Sequence, residues 1–584
     1  MNHIHPRRSA SRFLLGALVL LGGLSPAAAS SPASYLEAVP DAIYTGVPFD
    51  MPRVPVARIP ERIVSITDFG GVGDGQVLNT DAFARAIRHL ADQGGGCVTV
   101  PRGLWLTGPI VLRSHIQLHL EAGAVVLFSP DRTLYPLVES SFEGLRTMRC
   151  QAPISAQGAE NIAITGAGVI DGSGQAWRPV KREKMTDNQW RKLVASGGVL
   201  DKGGRIWWPS AGALAGADGG FNVPRADLSR EDFERVRDFL RPVMVSLREC
   251  RNVLLDGPTF QNSPAWNIHP LLCENVVVRN LTVRNPWYSQ NGDGLDVESC
   301  RNTVIYASTF DVGDDAICLK SGKDAQGRAR GRPTENLVVR DCVVYHGHGG
   351  FVVGSEMSGG VRRVFAADLT FIGTDVGIRF KSTRGRGGVV EDIHIEDVDM
   401  VDIPTEPIRF NLFYAGQAPG TDQAGETADR AAYLSQFPPV NEETPSFRNI
   451  TIRNVTCRGA GAAMWIQGLP EMPVKNVRLE NVAISATRGV RLIDVAGIHF
   501  DRVRVDATDG ALFDLFNAQD VVLRESAANP GAVTDAGAVR PALVRVDGPL
   551  TRGVDLAGLQ TRGAQLQVTR GANVAEAEVI LPRP

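Results

Sequence analysis

An asparagine or aspartate recurs in this sequence directly before short runs of strand-forming residues. The steps between Asn252, Asn275, Asn302 and Asn336 are 23, 27 and 34 residues, and a later step is again 27. A repeat of about 20 to 30 residues with no helix inside it is typical of a β-solenoid. The same pattern occurs at Asn161, Asn449, Asn476 and Asp520.

In such a solenoid each coil supplies two or three short parallel strands. An asparagine at a turn can then form a hydrogen bond with the asparagine one coil above. The alternative is a stack of β-sandwiches, whose strands alternate apolar and polar residues at hairpin spacing and are joined by Asn-Gly turns. This sequence matches that second pattern less well, so we predict an all-β solenoid.

Length and composition agree with an elongated repeat. At 584 residues the chain exceeds a typical single globular core, and its 62 glycines and 35 prolines suit many turns and few long helices. The net charge is −3 at pH 7, whereas nucleic-acid-binding proteins usually carry a strong basic excess. We therefore expect no nucleic-acid partner.

The N-terminus predicts export. Three arginines, an apolar run over residues 13–24 and an alanine triplet at 27–29 follow one another, as in a signal peptide cleaved near Ala29. A retained anchor is the alternative, but the run is shorter than the about 20 residues of a membrane span. We expect a periplasmic or extracellular monomer that is not inserted in a membrane after cleavage.

Changes in composition divide the chain. We predict a signal peptide over 1–29, an extended lead-in over 30–60, the main solenoid domain over 61–525, and terminal coils or a cap over 526–584. A short helix over 79–92 should close one end of the core. The segments 177–241 and 410–447 interrupt the repeat, and we interpret both as insertions carried on loops.

The eight cysteines leave two interpretations open. From Cys250 to Cys342 they occur at about one per predicted coil. Exported proteins can form disulfides, but stacks of small buried thiols explain this spacing equally well. The sequence has no C-x-x-C pair, so a thiolate metal site is not expected.

Four polar clusters fall on successive predicted coils. Asp293 and Asp314 are 21 positions apart, so a coil of that period would bring them into register one strand spacing, about 4.8 Å, apart. Stacking would then gather acids, an imidazole and two cations on one face of the solenoid. The clusters are Asn291-Gly292-Asp293, Asp314-Asp315, His346-Gly347-His348 and Arg379-Phe380-Lys381.

Three neighbouring carboxylates suit the hydrolysis of a glycosidic bond. One must be protonated to donate to the leaving oxygen, while another is ionised and activates water. Asp293, Asp314 and Asp315 supply this asymmetry, because like charges raise the pKa of one member. His348 could orient the acid or tune its proton. A third ligand to accompany His346 and His348 is not evident, so we expect no metal.

Arg379 and Lys381 provide a forked and a compact cation, which suit a substrate carboxylate. The expected substrate is therefore an acidic polysaccharide. Arg384 and Arg386 follow within a few residues and add positive charge to the same region.

Structural roles are the alternative for each of these residues. Asp293 and Asp296 could cap turns, and Arg379 and Lys381 could be solvated edge charges. Adjacent residues of a regular strand point to opposite faces, so one of Asp314 and Asp315 could be structural unless the chain bends there. Glycines on both sides of His348 let the backbone approach closely, which favours a functional histidine.

These motifs resemble those of glycoside hydrolase family 28, the polygalacturonase family. The resemblance covers roughly residues 63–521 and is most specific in NSPAWNIHPLLCENV, NGDGLDVESC, GDDAICLKSG, GHGGFVVGSE and GIRFKSTRGRGG. It implies a right-handed parallel β-helix and an inverting hydrolase that uses no cofactor, with a pectic galacturonan as the substrate.

The resemblance also implies roles for individual residues. Asp314 corresponds to the general acid, and Asp293 and Asp315 to the pair that activates water. His348 corresponds to the assisting histidine. The residues expected to bind the substrate are Arg379, Lys381 and Asn291.

The motifs depart from the family pattern at several points. Asn-Thr-Asp is replaced by Asn-Gly-Asp, and Arg-Ile-Lys by Arg-Phe-Lys. One additional residue after His348 resembles the bacterial exo-acting branch, and a family tyrosine has only a loose match in Tyr414. The insertion over 177–241 could wall off one end of the groove and so favour exo attack.

The expected activity is thus exo-acting hydrolysis of α-1,4-galacturonosidic bonds. The alternatives are a rhamnogalacturonan-directed galacturonohydrolase, a calcium-dependent pectate lyase and a non-catalytic carbohydrate-binding β-helix. Sensitivity to chelators would identify the lyase, and binding without turnover would identify the non-catalytic protein.

Overall fold

The computed structural model describes residues 31–414, 433–530 and 541–582. Parallel strands from successive coils pair into three ribbons that run along one right-handed β-helix, which confirms the predicted fold class. The predicted signal peptide and the middle of the predicted 410–447 insertion lie outside the described residues.

One ribbon, called here the site sheet, carries the residues predicted to act on a substrate. It continues into the later parts of two long strands, Ser446–Gln467 and Val474–Arg524, and ends with Ala542–Asp547 and Leu566–Arg570. Its earlier strands are Ile110–Val111, Ile154–Gln157, Val245–Arg248, Ile268–Leu271, Leu295–Glu298, Asp315–Lys320, Gly349–Gly354, Ile378–Lys381 and Ile408–Asn411.

The other two ribbons complete each coil, and both run into the same two long strands. The second sheet comprises Ile63–Ser65, Gly96–Val100, Ile116–Leu120, Glu160–Gly166, Arg251–Asp256, Glu274–Arg279, Arg301–Tyr306, Thr334–Val344, Val361–Ile372, Val389–Ile403, Arg552–Asp555 and Val579–Ile580. The third comprises Gly103–Thr107, Ala124–Phe128, Val169–Asp171, Thr259–Gln261, Thr282–Arg284, Thr309–Asp311, Ser526–Pro530 and Leu559–Gln560. Between Thr309–Asp311 and the two long strands it continues through the later residues of Thr334–Val344, Val361–Ile372 and Val389–Ile403.

Helices and a few antiparallel strands lie outside the ribbons. The α-helices are Thr80–Ala91, Asp187–Ala195, Ala211–Asp218, Arg230–Arg235 and Asp324–Arg330. The antiparallel strands are the hairpin Leu137–Phe142 and Leu145–Cys150, and the small sheet of Val180–Lys181, Val199–Leu200 and Ile206–Trp208. Short 3-10 helices are Pro32–Leu36, Asp41–Tyr44, Ile66–Phe69, Arg132–Leu134, Gly174–Ala176, Arg182–Lys184, Arg237–Phe239 and Glu576–Glu578.

Alternation along the strands separates the core from the outer face. On the site sheet, Leu295, Ile317, Phe351 and Ile378 point inward and are fully buried in one continuous core. Helix Thr80–Ala91 buries Phe83, Ile87 and Leu90 against the first coils. The neighbouring strand residues therefore project outward, where charged side chains can gather.

The predicted asparagine ladder is present and is confirmed. The Nδ2 of Asn275 donates to Oδ1 of Asn252 (2.9 Å), and the Nδ2 of Asn302 donates to Oδ1 of Asn275 (3.1 Å). These residues adopt left-handed backbone angles, with φ of 56° to 58°, a conformation that asparagine tolerates better than most residues. Similar bonds join Asn161 to Asn252, Asn302 to Asn336, Asn449 to Asn476 and Asn454 to Asn481.

The described part of the lead-in, residues 31–60, lies along the outer face of the second sheet. Ile43, Val54 and Ala57 pack against an apolar strip that includes Val277 and Phe365. Arginines of the sheet hold the backbone of the segment, as when Nη2 of Arg279 donates to the carbonyl of Tyr35 at 2.7 Å. We call this segment the strap.

All eight cysteines are buried free thiols. Of the two interpretations of their spacing, the structure thus favours stacked thiols over disulfides. No helix in the described parts of the chain has the length and apolar character needed to cross a membrane.

Candidate active site

The predicted acidic residues come together at the N-terminal end of two paired strands of the site sheet. Leu295 lies opposite Ile317, and the amide of Gly294 donates to the carbonyl of Asp315. The coil therefore repeats at 22 residues and places Asp293 beside Asp315. The predicted 21-residue register with Asp314 is wrong by one position, because Asp314 belongs to the turn before strand Asp315–Lys320.

The turn is also what lets adjacent aspartates reach one site. One carboxylate oxygen from each of Asp293, Asp314 and Asp315 lies within 4.8 Å of the others. Asp293 and Asp315 are buried, whereas the side chain of Asp314 is 22% exposed. Asp314 is the member of the cluster best placed to meet a ligand from solvent.

Two cations neutralise Asp315. Nη1 of Arg379 lies 3.1 Å from its Oδ1, and Nζ of Lys381 lies 2.6 Å from its Oδ2. Burial alone would raise the pKa of Asp315, but Lys381, Arg379 and Lys320 outweigh it and hold this pKa below its ordinary value. Asp315 is therefore ionised throughout the neutral pH range.

Asp293 is in the opposite situation. Burial, followed by the charges of Asp296 and Asp314, raises the pKa of Asp293 well above its ordinary value. Its Oδ1 is buried without a hydrogen-bond partner within the described residues. The cluster thus contains one carboxylate held ionised and one that favours a proton.

His348 lies beside Asp314. Its Nδ1 is 3.4 Å from Oδ1 of Asp314, and its Nε2 is 3.7 Å from Oδ2 of Asp375. The contact with Asp314 raises the pKa of His348 against the opposing effect of burial. His346 instead lies 2.9 Å from Asp311 and is largely exposed, so the two histidines do not converge.

The predicted substrate-binding residues border this cluster. Both cations pack beside one aromatic ring, since Lys381 lies 5.0 Å and Arg379 5.7 Å from the centre of the Tyr414 ring. Asn291 accepts a 3.0 Å hydrogen bond from Arg241 through Oδ1, which leaves its amide N–H groups as donors. The positive charges of Arg384 and Arg386, by contrast, are paired with Glu471 and Asp324.

A second layer of charge beneath the cluster was missed by sequence reasoning. Nζ of Lys320 lies 3.0 Å from Glu356 and 3.5 Å from Asp296, and 4.7 Å from the centre of the Trp266 ring. Burial raises the pKa of Asp296 to about 8 despite Lys320. Alternation along the strands offered a signal for this layer. Glu298 and Lys320 are 22 positions apart and lie opposite each other, and Asp296, two positions before Glu298, falls on the same outward face of the sheet.

The three carboxylates are close enough to hold a cation, because one oxygen of each lies within 4.8 Å of the others. However, calcium prefers six to eight oxygen ligands, and both oxygens of Asp315 already accept hydrogen bonds from cations. The arrangement is therefore better suited to proton transfer than to a calcium-dependent reaction.

Two elements cover the site sheet on the side of the earlier coils. In the hairpin of residues 137–150, Phe142 stacks on Trp266 at 5.0 Å, and Glu143 pairs with Lys323 at 3.5 Å. The hairpin shares an apolar core with the predicted insertion over 177–241. That insertion is tied to the site where Arg241 donates to Gln290 and Asn291.

Residues 234–429 match the model of glycosyl hydrolases family 28. The chain is 30% identical over 447 residues to a probable polygalacturonase of Vitis vinifera, covering 74% of this chain and 77% of that protein. It is 26% identical to an exo-poly-alpha-D-galacturonosidase of Dickeya chrysanthemi, covering 76% and 70%.

A solved structure has a similar fold. The exopolygalacturonase of Thermotoga maritima superposes with a TM-score of 0.61 at 31% identity, covering 82% of this chain and 94% of that one.

Proposed function

The chain belongs to glycosyl hydrolase family 28, and from this we propose that it hydrolyses α-1,4-galacturonosidic bonds of pectic galacturonan in an exo-acting manner. Membership makes it a glycoside hydrolase. The observation that carries the substrate proposal is the acid cluster bordered by Arg379 and Lys381, which pairs proton-transfer groups with cations for a uronate carboxylate.

In the proposed reaction, Asp314 gives a proton to the leaving oxygen. It is the exposed member of the cluster and lies beside His348, whose raised pKa keeps a proton available to the two side chains. Proton transfer by a positioned side chain typically contributes 10² to 10⁴ in rate. His348 is thus proposed to supply and orient the proton that Asp314 delivers.

Asp315 and Asp293 are proposed to activate the attacking water. Asp315 is the ionised member and accepts a proton from water, while Asp293 orients that water from the other side. One ionised carboxylate in a pair suffices for this, as in other dyads that share a proton.

We propose inversion of configuration. The carboxyl groups of this cluster lie closer together than the about 6.5 to 9.5 Å that usually separates the two catalytic carboxyl groups of inverting enzymes. However, both oxygens of Asp315 are engaged by cations and Asp293 favours a proton, so neither is a free nucleophile towards the sugar. Proton NMR of the first product formed tests this, because an initial α-anomer would contradict inversion.

Arg379 and Lys381 are proposed to bind the substrate carboxylate, with Tyr414 beside them and Asn291 donating to a sugar oxygen. The guanidinium of Arg379 has five N–H donors, so its bond to Asp315 leaves others for a ligand. This arrangement needs no cofactor.

The exo mode rests on the covered side of the sheet. The hairpin and the 177–241 insertion bury the outer face of the coils that precede Asp293, including His269 at 1% exposure. A polymer can then enter the site only with its end against this wall. Release of monomer alone at early time is expected, whereas a series of oligomers would contradict the exo mode.

Product analysis on polygalacturonate, with and without chelator, tests the activity for the wild type and for Asp314→Asn. Saturated galacturonate that forms despite chelator and is abolished in the variant is expected. Unsaturated product that needs calcium would indicate a lyase. Turnover only on rhamnogalacturonan would change the substrate, and binding without turnover on either polymer would contradict catalysis.

We further propose that the protein acts outside the cytoplasm as a monomer. The predicted signal peptide and the extracellular location of pectin support this.

The proposed domain division is the catalytic β-helix over 61–525, with terminal coils over 526–584. Mass spectrometry of the mature N-terminus is expected to find cleavage near Ala29, and size-exclusion chromatography is expected to find one subunit.

A further inference from the structure

We propose that the part of the site sheet beyond Arg379 binds the remainder of the polyanionic substrate chain, through a strip formed by Arg409, Trp465, Arg491 and Arg545. We call these residues the distal strip. The inference rests on the proposed function, since it assigns a path to the same galacturonan. It identifies a binding surface on coils that mostly follow residues 234–429, the part that matches the family model.

The strip is one outward-facing column of the site sheet. The strand register places Arg379 opposite Arg409, Arg409 opposite Trp465, and Trp465 opposite Arg491. Arg491 contacts Asp514 at 3.6 Å, and Asp514 lies opposite Arg545. At about 4.8 Å a strand, the five steps from Arg379 to Arg545 span about 24 Å.

Exposure changes along this column at Arg379. Before Arg379 the column is covered, with exposures of at most 9% at Ser246, His269, Asp296, Cys318 and Val352. From there on, the side chains of Arg379, Arg409 and Arg491 are 16%, 23% and 44% exposed. Because one side is closed and the other opens progressively, the rest of a long substrate must pass over the strip.

The side chains suit a chain of uronate residues. The guanidinium of Arg409 lies 4.4 Å above the centre of the Trp465 ring, which combines a flat apolar surface for a sugar with a cation for its carboxylate. The indole Nε1 of Trp465 is buried and has no hydrogen-bond partner among the described residues. A cavity of about 360 Å³ lies beside this ring and is lined by Arg491 and Arg545.

Acidic residues also occur there, and they moderate the charge. Arg409 lies 3.4 Å from Glu406, and Arg491 lies 3.6 Å from Asp514. Arg545 forms no ion pair within the described parts of the chain. A strip of paired and unpaired arginines favours many weak contacts with a long polyanion over tight binding of a single sugar.

The test compares a long and a short substrate. For the double variant Arg491→Ala/Arg545→Ala, kcat/KM on polygalacturonate is expected to fall about tenfold relative to kcat/KM on trigalacturonate, since two charge contacts are lost only by the polymer. The matched control is Arg458→Ala/Arg552→Ala, which removes two exposed arginines from the second and third sheets. The control should leave the polymer-to-trimer ratio at the wild-type value.

Binding measured without turnover separates the two proposals. In an Asp314→Asn background, affinity electrophoresis in polygalacturonate is expected to show weaker retention for the strip variant than for the control. The difference in retention between the two variants should become smaller at high salt, because salt screens the charges. Equal retention and an unchanged substrate ratio would overturn the strip. Weaker retention by an enzyme that never cleaves galacturonan would refute the proposed activity but keep the strip.

Discussion

Both oxygens of the Asp315 carboxylate accept a hydrogen bond from a cation, Arg379 on one side and Lys381 on the other. Replacement of Lys381 by Met would leave a buried charge only partly compensated. The expected loss is about 3 kcal/mol in the free energy of unfolding, together with most of the activity. Urea unfolding and kcat on polygalacturonate measure the two effects.

The control for this change is Lys381→Arg. It keeps the positive charge but changes the shape of the donor, so stability should be largely retained while substrate binding weakens. Equal stability of Lys381→Met and the wild type would show that Asp315 does not depend on this ion pair.

His348 predicts the alkaline limit of activity. Its raised pKa means that the ring keeps its proton above the ordinary range and loses it as the pH rises further. For His348→Gln we expect kcat to fall about 100-fold and the alkaline limb of the pH–kcat profile to move to lower pH. An alkaline limb at the wild-type position would assign that proton to another group.

At the scale of elements, the asparagine ladder joins neighbouring coils where their backbone is left-handed. Asn275→Ala removes two hydrogen bonds and places a Cβ-bearing residue without a polar side chain at φ 58°. The expected loss is about 3 to 4 kcal/mol in the free energy of unfolding, from about 1 kcal/mol for each bond and about 1 to 2 kcal/mol for the backbone.

Asn275→Gly is the matched variant, since glycine adopts this φ without strain. It should lose the hydrogen bonds alone and so lie between Asn275→Ala and the wild type in its urea midpoint. Identical midpoints for alanine and glycine would show that backbone strain contributes nothing there.

The elements also show which features a sequence can reveal. The coil stack and the four polar clusters were predictable because each depends on a local repeat and on alternation within short strands. The register error of one residue arose because Asp314 lies in a turn, which alternation does not describe. Arg241 and the hairpin gave no such signal, because their contacts with Asn291 and Trp266 join residues distant in sequence.

At the scale of the whole molecule, the strap seals an apolar strip that the coils leave outside their core. Leu254, Val277, Val304, Val338 and Phe365 are fully buried beneath or beside it. A chain that begins at residue 61 would expose this strip and lose several buried side chains, each contributing about 1.5 to 3 kcal/mol. We expect a marked fall in the thermal midpoint and binding of a hydrophobic dye.

A chain that contains the strap with Ile43→Ser and Val54→Ser provides the comparison. Its thermal midpoint should also fall, but by less than in the truncated chain, because the hydrogen bonds from Arg279 and Arg340 to the strap backbone are kept. A thermal midpoint unaffected by removal of residues 31–60 would show that the strip is stable when exposed to water.

The eight buried thiols have a consequence for how the molecule reaches its folded state. The folded structure does not depend on disulfide formation, since all eight cysteines are free. The stacked coils are held together without covalent links between them. Folding should therefore not need an oxidising compartment. Dithiothreitol is expected to leave the unfolding midpoint unchanged, and this independence from redox conditions would allow active protein to be made inside the cytoplasm of an expression host.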